Sequence, residues 1–461
     1  MSDRRTFLQA AAATGLGSFL AQPASAAEGQ SHRATDLTIT EVRITPIALP
    51  DPPILAASGC HGPYFLRNII EITTEDGVVG IGETRGGLKR TEGLLAAAKY
   101  VVGQSAFAYR AFPALLTEET AKINDPAAAD PAVYAGLELA CLDAVGKATG
   151  QSLSRLLGGP VRDEVEFAAY LFFRYAADHP RVFDDEHLAD NRGHGDKALD
   201  DWGEVRTPEA MANMAKRWRE RFGFNAMKLK AGVLPPDVEL DALKAINEAF
   251  AGKTPLRIDP NGRWTIETAL RIARELQSMP LEYYEDPVAG QEAMATVRRE
   301  TGLPMSTNMC VTRFDHIADA VKNEPVDIVL CDHHGWGGIP ACQALGTLAD
   351  SLGWRLSQHS NNHAGLTMAA MTHVGAVTPQ IVHPSDTHYP WLVEGADIIE
   401  GPNLKFEGGK MKVPNGPGLG VALDHDKLAR AHEVYQKSGM RERNDGVTME
   451  RFEPGWTRDL F

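Results

Sequence analysis

Phe224-Asn225-Ala226-Met227-Lys228-Leu229-Lys230 is the stretch on which the reading of this chain turns. Ala226–Lys230 reads as a short strand, and strand side chains alternate faces, so Lys228 and Lys230 point the same way. Just before it, Glu209–Arg221 has the apolar spacing of an amphipathic helix. The alternation continues outward. Phe167–Phe173 precedes it as a strand, and Leu256–Asp259, Leu281–Glu285, Met305–Asn308, Ile328–Cys331 and Arg355–His359 follow, with helices such as Ile266–Gln277 and Ile339–Leu352 between them. Repeated strand–helix units imply a parallel sheet, and seven or eight of them over this length favour a closed (β/α) barrel over an open sheet.

The flanking regions have another rhythm. Leu37–Leu49 alternates apolar and polar positions, Asn68–Thr74 reads as a second strand, and a turn at Glu75-Asp76-Gly77 leads into a third at Val78–Gly82. A helix over Pro131–Thr149 ends near Gly150. Residues 37–160 are therefore expected to form an α+β unit that caps a barrel over residues 161–395. A final segment, 396–461, has turns at Gly408-Gly409 and Pro414–Gly420 and a helix near Lys427–Lys437. The polar, Gly- and Asp-rich stretch Ala176–Arg206 reads as a long loop over the barrel mouth or on the surface.

At 461 residues the chain is too long for one ordinary core, which agrees with a barrel plus cap. The net charge of −15 argues against nucleic acid or an anionic membrane as partner. It leaves room for an anionic small molecule, because a metal ion and a few cations set the sign inside one pocket. The five cysteines make no CxxC pair, so neither a disulfide framework nor a zinc site is expected. At the N-terminus, Asp3-Arg4-Arg5-Thr6-Phe7-Leu8, an Ala-rich apolar run to Leu20 and Ala24-Ser25-Ala26 resemble a twin-arginine export signal over residues 1–26. A polar linker over 27–36 follows, and a periplasmic or secreted location is expected. No later segment reaches the ~20 apolar residues needed to span a bilayer.

In barrels of this kind, functional side chains sit at the C-terminal ends of the strands. Lys228 and Lys230 end one strand, Asp259 the next, then Glu285, Asn308, Asp332 and His359. Taken singly, an Asp, Glu or Asn after a strand is usually a helix cap or turn residue; the succession over consecutive strands points to a site. Two inward ammonium groups are costly unless they serve an anion or each other, and like charges lower a lysine's pKa towards that of a usable base. Asp259, Glu285 and Asn308 offer hard oxygen donors of the kind that suits Mg²⁺; Glu292 is an alternative for the second. Asp332 ends the strand before His359, and a carboxylate on one ring nitrogen fixes the tautomer and raises the basicity of the other.

The order Lys228-x-Lys230, Asp259, Glu285, Asn308, Asp332, His359 resembles the mandelate-racemase-like branch of the enolase superfamily, and within it the glucarate dehydratase family. The local matches are Phe224–Lys230, Ile258-Asp259-Pro260-Asn261-Gly262, Thr307-Asn308-Met309, His359-Ser360-Asn361-Asn362-His363, Asp386-Thr387-His388 and Pro454-Gly455-Trp456-Thr457. The likeness runs from about Leu37 to near the C-terminus.

It implies a modified (β/α)₇β TIM barrel under an α+β cap, a homo-oligomer, Mg²⁺ as cofactor and an acid sugar as substrate, most closely D-glucarate or L-idarate. Proton abstraction next to a carboxylate gives an ene-diolate, stabilised by the metal and Lys228, and water then leaves. By resemblance Lys230 and the His359–Asp332 dyad are bases on opposite faces of the carbon, with His359 also a candidate acid, and Asn261 lies near the reacting carboxylate. His61, Tyr170, Lys228, Asn308, Ser360, Asn361, His388 and Arg443 are the implied substrate contacts. The chain departs from the family in three places. Ala56 replaces an Asn five residues before His61, the segment Ala127–Tyr134 lacks an Arg/Thr-rich stretch, and the connection after Glu285-Asp286-Pro287 is shorter. A dehydratase or epimerase for another sugar acid, or an exported sugar-acid binding protein without turnover, are the alternatives.

Overall fold

The computed structural model of the protein describes residues 36–123, 130–177, 179 and 200–461. The expected export signal, the linker up to residue 35, residues 127–129 of the cap segment and most of the loop expected over 176–206 lie outside the described residues.

The cap is an antiparallel sheet of β1 (Ile39–Pro50), β4 (Tyr64–Thr74) and β5 (Val79–Arg85), with β4 in the middle. Between β1 and β4 a small hairpin, β2 (Leu55–Ala56) and β3 (Gly59–Cys60), reaches towards the barrel. The helix Pro131–Thr149 covers one face of the sheet. Asp130 caps it by accepting from Ala132 N at 2.8 Å, Pro131 takes the first turn, and Gly150 ends it with φ 66°. The helix lies so close to β5 that a Cβ on Gly80 would come 2.1 Å from the Ala140 carbonyl oxygen, and one on Gly82 2.4 Å from that of Gly136. Glycine is required at both places because the backbones touch.

Seven parallel strands follow in sequential neighbour order: β7 (Ala169–Leu171), β8 (Met227–Lys230), β9 (Leu256–Asp259), β10 (Leu281–Glu285), β11 (Met305–Thr307), β12 (Ile328–Cys331) and β13 (Arg355–Gln358). Residues 381–386 close the ring, bridging β13 through Leu356–Ile381 and the chain two residues before β7 through Phe167–Ser385, both in parallel. This is the expected eighth stave of the barrel, held by isolated bridges. Helices such as Ile266–Leu276, between β9 and β10, bury one apolar stripe, here Ala269, Ile272, Ala273 and Leu276. Strand bounds agree with the sequence to within a few residues. The largest differences are β4, which starts earlier, at Tyr64, and β7, of which only Ala169–Leu171 pairs with β8.

The last segment returns to the cap. β14 (Lys410–Lys412) pairs with β6 (Glu164–Glu166), the helix His425–Ser438 packs on β1 through Tyr435 against Ala48 and Tyr64, and a helix over Asp445–Phe452 follows.

Candidate active site

Lys228 and Lys230 do share the inner face of β8, and both are buried. Register sets their partners: Lys228 lies beside Tyr170 on β7 and Lys230 beside Asp259 on β9. Lys228 Nζ donates to Glu285 Oε2 and Asp386 Oδ2, both at 2.6 Å, with Asp259 Oδ2 at 3.2 Å. Lys230 Nζ donates to Asp259 Oδ2 at 2.6 Å and to the Tyr170 hydroxyl at 3.1 Å. Asp386 also takes Arg257 at 3.2 Å, and Arg257 reaches Glu282 at 2.7 Å, so a second ionic layer lies beneath the first.

This arrangement corrects the expectation for the lysines. Burial pulls both ammonium groups down, and Lys228 pulls Lys230 down further. The carboxylates outweigh both effects, Asp386 and Glu285 on Lys228 and Asp259 on Lys230, and both lysines end above their ordinary value. The sequence showed two cations on one face, with Asp259 and Glu285 read as metal ligands rather than as counter-ions, and gave no role to Asp386.

The three expected metal ligands stand at the ends of the adjacent strands β9, β10 and β11, with Asp259 and Glu285 sharing Lys228. Glu285 Oε1 and Asn308 Oδ1 are buried with no hydrogen-bond partner, while Glu285 Oε2 and Asp259 Oδ2 face the lysines. Orphaned buried oxygens beside a buried carboxylate fit a hard divalent cation. Burial and the Asp259 carboxylate push the Glu285 carboxyl up, and a cation there would favour the ionised ligand. Glu292 is exposed in the first turn of the helix Gln291–Thr301, whereas Glu285 is buried against Lys228. Asp286, in a left-handed backbone conformation with φ 36°, accepts from Thr307 Oγ1 at 2.5 Å and Asn308 N at 2.8 Å and so sets the position of Asn308. Asn261, also left-handed with φ 50°, donates its backbone N–H to Asp259 Oδ1 at 3.0 Å and lines the cavity. Asn and Asp are the residue types that tolerate this conformation.

His359 and Asp332 meet at the ends of β13 and β12, with Nδ1 3.1 Å from Oδ2. Asp332 also accepts from His334, whose N–H lies 2.9 Å from Oδ1, and from Arg85 Nη2, 2.5 Å from Oδ2. The basicity expected for His359 is not what results. Burial lowers its pKa, Asp332 raises it, and Arg85 and Lys228 draw it down again, leaving it below the ordinary histidine value.

Lys230, Asn261, Asn308, Asp332 and His359 open into one cavity of about 500 Å³, and Lys228, Asp259 and Glu285 lie behind its wall. Its walls include Tyr170, Lys230, Asn308, His359, Ser360 and Asn361. His388 is there too, its N–H donating to Ser360 Oγ at 3.0 Å and its ring 4.7 Å from that of Tyr170. At the cap end stand His61 and Arg443. The Arg443 guanidinium is held by Asp51 at 3.1 Å, Asn362 at 2.8 Å and Asp445 at 2.6 Å, so part of its charge is already countered. Ala56 lines the same cavity beside Ser58, which puts that departure from the family pattern against the space a substrate takes.

Three residues of the site were not singled out from sequence. Asp386 ends the closing stave, two residues before His388, and no strand pattern marks it. Arg85 ends a cap strand, and Asp51 directly follows β1; nothing local marks either.

The chain matches the mandelate racemase / muconate lactonizing enzyme N-terminal domain over residues 39–158 and the family described as enolase C-terminal domain-like over residues 210–427. It is 43% identical, across 91% of its length and 97% of the relative's, to a probable glucarate dehydratase of Streptomyces coelicolor. It is similar to an enolase of Gibberella zeae PH-1 solved with magnesium, formate and sulfate, at 39% identity and TM-score 0.84 over 92% of this chain and 97% of that one. An enolase of Mycobacterium smegmatis in complex with tartrate gives 40% identity and TM-score 0.83 over 92% and 98%. The paired domains, the seven-stranded parallel barrel and this degree of identity over nearly the whole chain place the protein in the mandelate racemase / muconate lactonizing enzyme family of the enolase superfamily.

Proposed function

We propose that the protein is an acid-sugar dehydratase, a hydro-lyase that removes the proton next to a substrate carboxylate and expels water to give a keto-deoxy sugar acid. The observation that carries this reading is the order of groups round one barrel mouth. Lys230 stands on β8, the oxygen donors Asp259, Glu285 and Asn308 on the next three strands, and the Asp332–His359 pair on the two after those. A proton acceptor thus flanks the oxygen-donor centre on either side.

Magnesium held by Asp259, Glu285 and Asn308 would supply Lewis-acid polarisation of the substrate carboxylate and would compete with Lys230 for the Asp259 charge. Lys230 Nζ accepts the proton on one face of the carbon and His359 Nε2 on the other, its Nδ1–H being directed to Asp332. Lys228 supplies fixed positive charge where the ene-diolate develops. Protonated His359 is placed to give its proton to the departing hydroxyl. Asn261, Tyr170, Ser360 and Asn361 orient the reacting end, and His61, His388 and Arg443 the distal end.

The name of the Streptomyces relative and the tartrate bound by the Mycobacterium structure favour an aldarate, most simply D-glucarate or L-idarate. Ala56 in the cavity wall favours a second reading, a dehydratase or epimerase for another sugar acid. Incubating the protein and Mg²⁺ with a panel of acid sugars tests both. Keto-acid product identifies the dehydratase, and C–H exchange alone an epimerase. Binding without either reaction would overturn the enzymatic reading. Export through residues 1–26 belongs to the same proposal and is tested by sequencing the N-terminus of the secreted protein.

A further inference from the structure

We propose that Arg85 is a positioning residue for His359, reaching from the cap to fix the Asp332 carboxylate and so holding one of the two proton acceptors in its neutral, correctly directed form. The proposal rests on the reading above of His359 as a base. Arg85 is the last residue of β5, and its neighbour in space, Asp332, is 247 positions away. The guanidinium takes the same oxygen, Oδ2, that faces His359: Nη2 at 2.5 Å against 3.1 Å for His359 Nδ1. The other oxygen is filled by His334, whose backbone N–H lies at 2.9 Å and ring Nδ1 at 3.2 Å.

Two consequences follow from this sharing. First, a carboxylate gripped by a guanidinium stays ionised and acts only as an acceptor, so His359 Nδ1 must carry the hydrogen and Nε2 is left with its lone pair. Second, charge given to the guanidinium is not available to stabilise an imidazolium. The groups acting on the His359 ring are Asp332, Arg85, Lys228 and, across the mouth, His388. His333 and His334 lie against the small cavity behind it. Of these groups only Asp332 attracts a proton to His359, and Arg85 sits directly on it. Lys230 has no such link: its partners are Asp259 and Tyr170. Removing Arg85 should therefore disturb one face of the substrate and spare the other.

The experiment uses the full chain with Mg²⁺, in wild type, R85K and R85M. The His359 imidazole is titrated by NMR after histidine labelling, its signal assigned by loss in H359Q. In R85M the titration should move up by about one unit or more, with R85K between R85M and wild type. With an exchanging acid sugar, the ratio of His359-face to Lys230-face exchange at neutral pH should fall by about tenfold in R85M and recover in part in R85K. The ascending limb of the His359-face pH profile should move to higher pH. An unmoved His359 titration, or equal loss on both faces, overturns the proposal. If R85M does not fold, R85K decides alone, by a titration displaced upward or unmoved. If the wild type turns over no acid sugar, the enzymatic reading fails, while the titration still settles what Arg85 does.

Discussion

Lys230 and Asp259 are register partners across the β8–β9 ladder, and the lysine ammonium lies 2.6 Å from Oδ2 of the carboxylate. One carboxylate thus stands as counter-ion to a proposed base and as proposed ligand to a cation. Without a cation, Asp259 outweighs the burial and Lys228 that pull Lys230 down, and holds it protonated. Chelation should therefore abolish exchange on the Lys230 face throughout the neutral range, and added Mg²⁺ should restore it. D259N should lower Mg²⁺ affinity by about 100-fold or more, read by calorimetry. Full exchange in excess chelator would contradict this.

The two-base arrangement gives an epimer-specific result. K230M should abolish exchange for the epimer whose proton faces β8 and retain it for the other, and H359Q should do the reverse. Each loss should be at least about 100-fold in rate, measured by deuterium incorporation. Equal loss for both epimers in both variants would remove the model.

Asp386 joins the two ionic layers, through Lys228 at 2.6 Å and Arg257 at 3.2 Å. All three side chains are fully buried. D386N leaves a buried cation short of its partner and should cost about 3–5 kcal/mol, seen as a large fall in thermal midpoint. D386E should recover part of it.

Glu138 supplies a pH dependence away from the chemistry. It is buried between the cap and the barrel, accepting from Tyr134 Oη at 2.7 Å and Ile339 N at 2.6 Å. Burial, set against these hydrogen bonds, raises its pKa from 4.5 to about 7. The folded state therefore holds the proton more tightly than the unfolded state. Its contribution is fully present below pH 4.5 and is lost as pH rises to about 7. E138Q removes this slope, so wild type should gain on the variant at pH 5 and lose to it at pH 8. The swing is about 3 kcal/mol, followed by thermal midpoints at the two pH values.

The barrel was legible because its strands are short apolar runs ending in polar residues at regular spacing, a pattern that survives without any knowledge of packing. Asp332 and His359 were legible as a pair because they end adjacent strands. The sign of the lysine shifts was not. It depends on Glu285 and Asp386, which arrive from strands far away in sequence, and the stave that brings Asp386 is held by isolated bridges with no strand pattern of its own. Arg85 was invisible for a related reason. At the end of a cap strand before Gly86-Gly87 it looks like an exposed strand terminus, and only the seating of the cap turns it towards Asp332. The helix Gly365–Val377, wholly buried, lacks the polar stripe by which helices are recognised, and went unmarked.

Ser58 donates to Asp445 at 2.6 Å, and Asp51 holds Arg443 at 3.1 Å. The roof over the chamber is thus stitched from residues almost 400 positions apart. The roof therefore closes only after residues 443–445, some 387 positions beyond Ser58, have been made and seated. A single proteolytic nick just ahead of Met440 should silence the enzyme while leaving the cylinder beneath it standing.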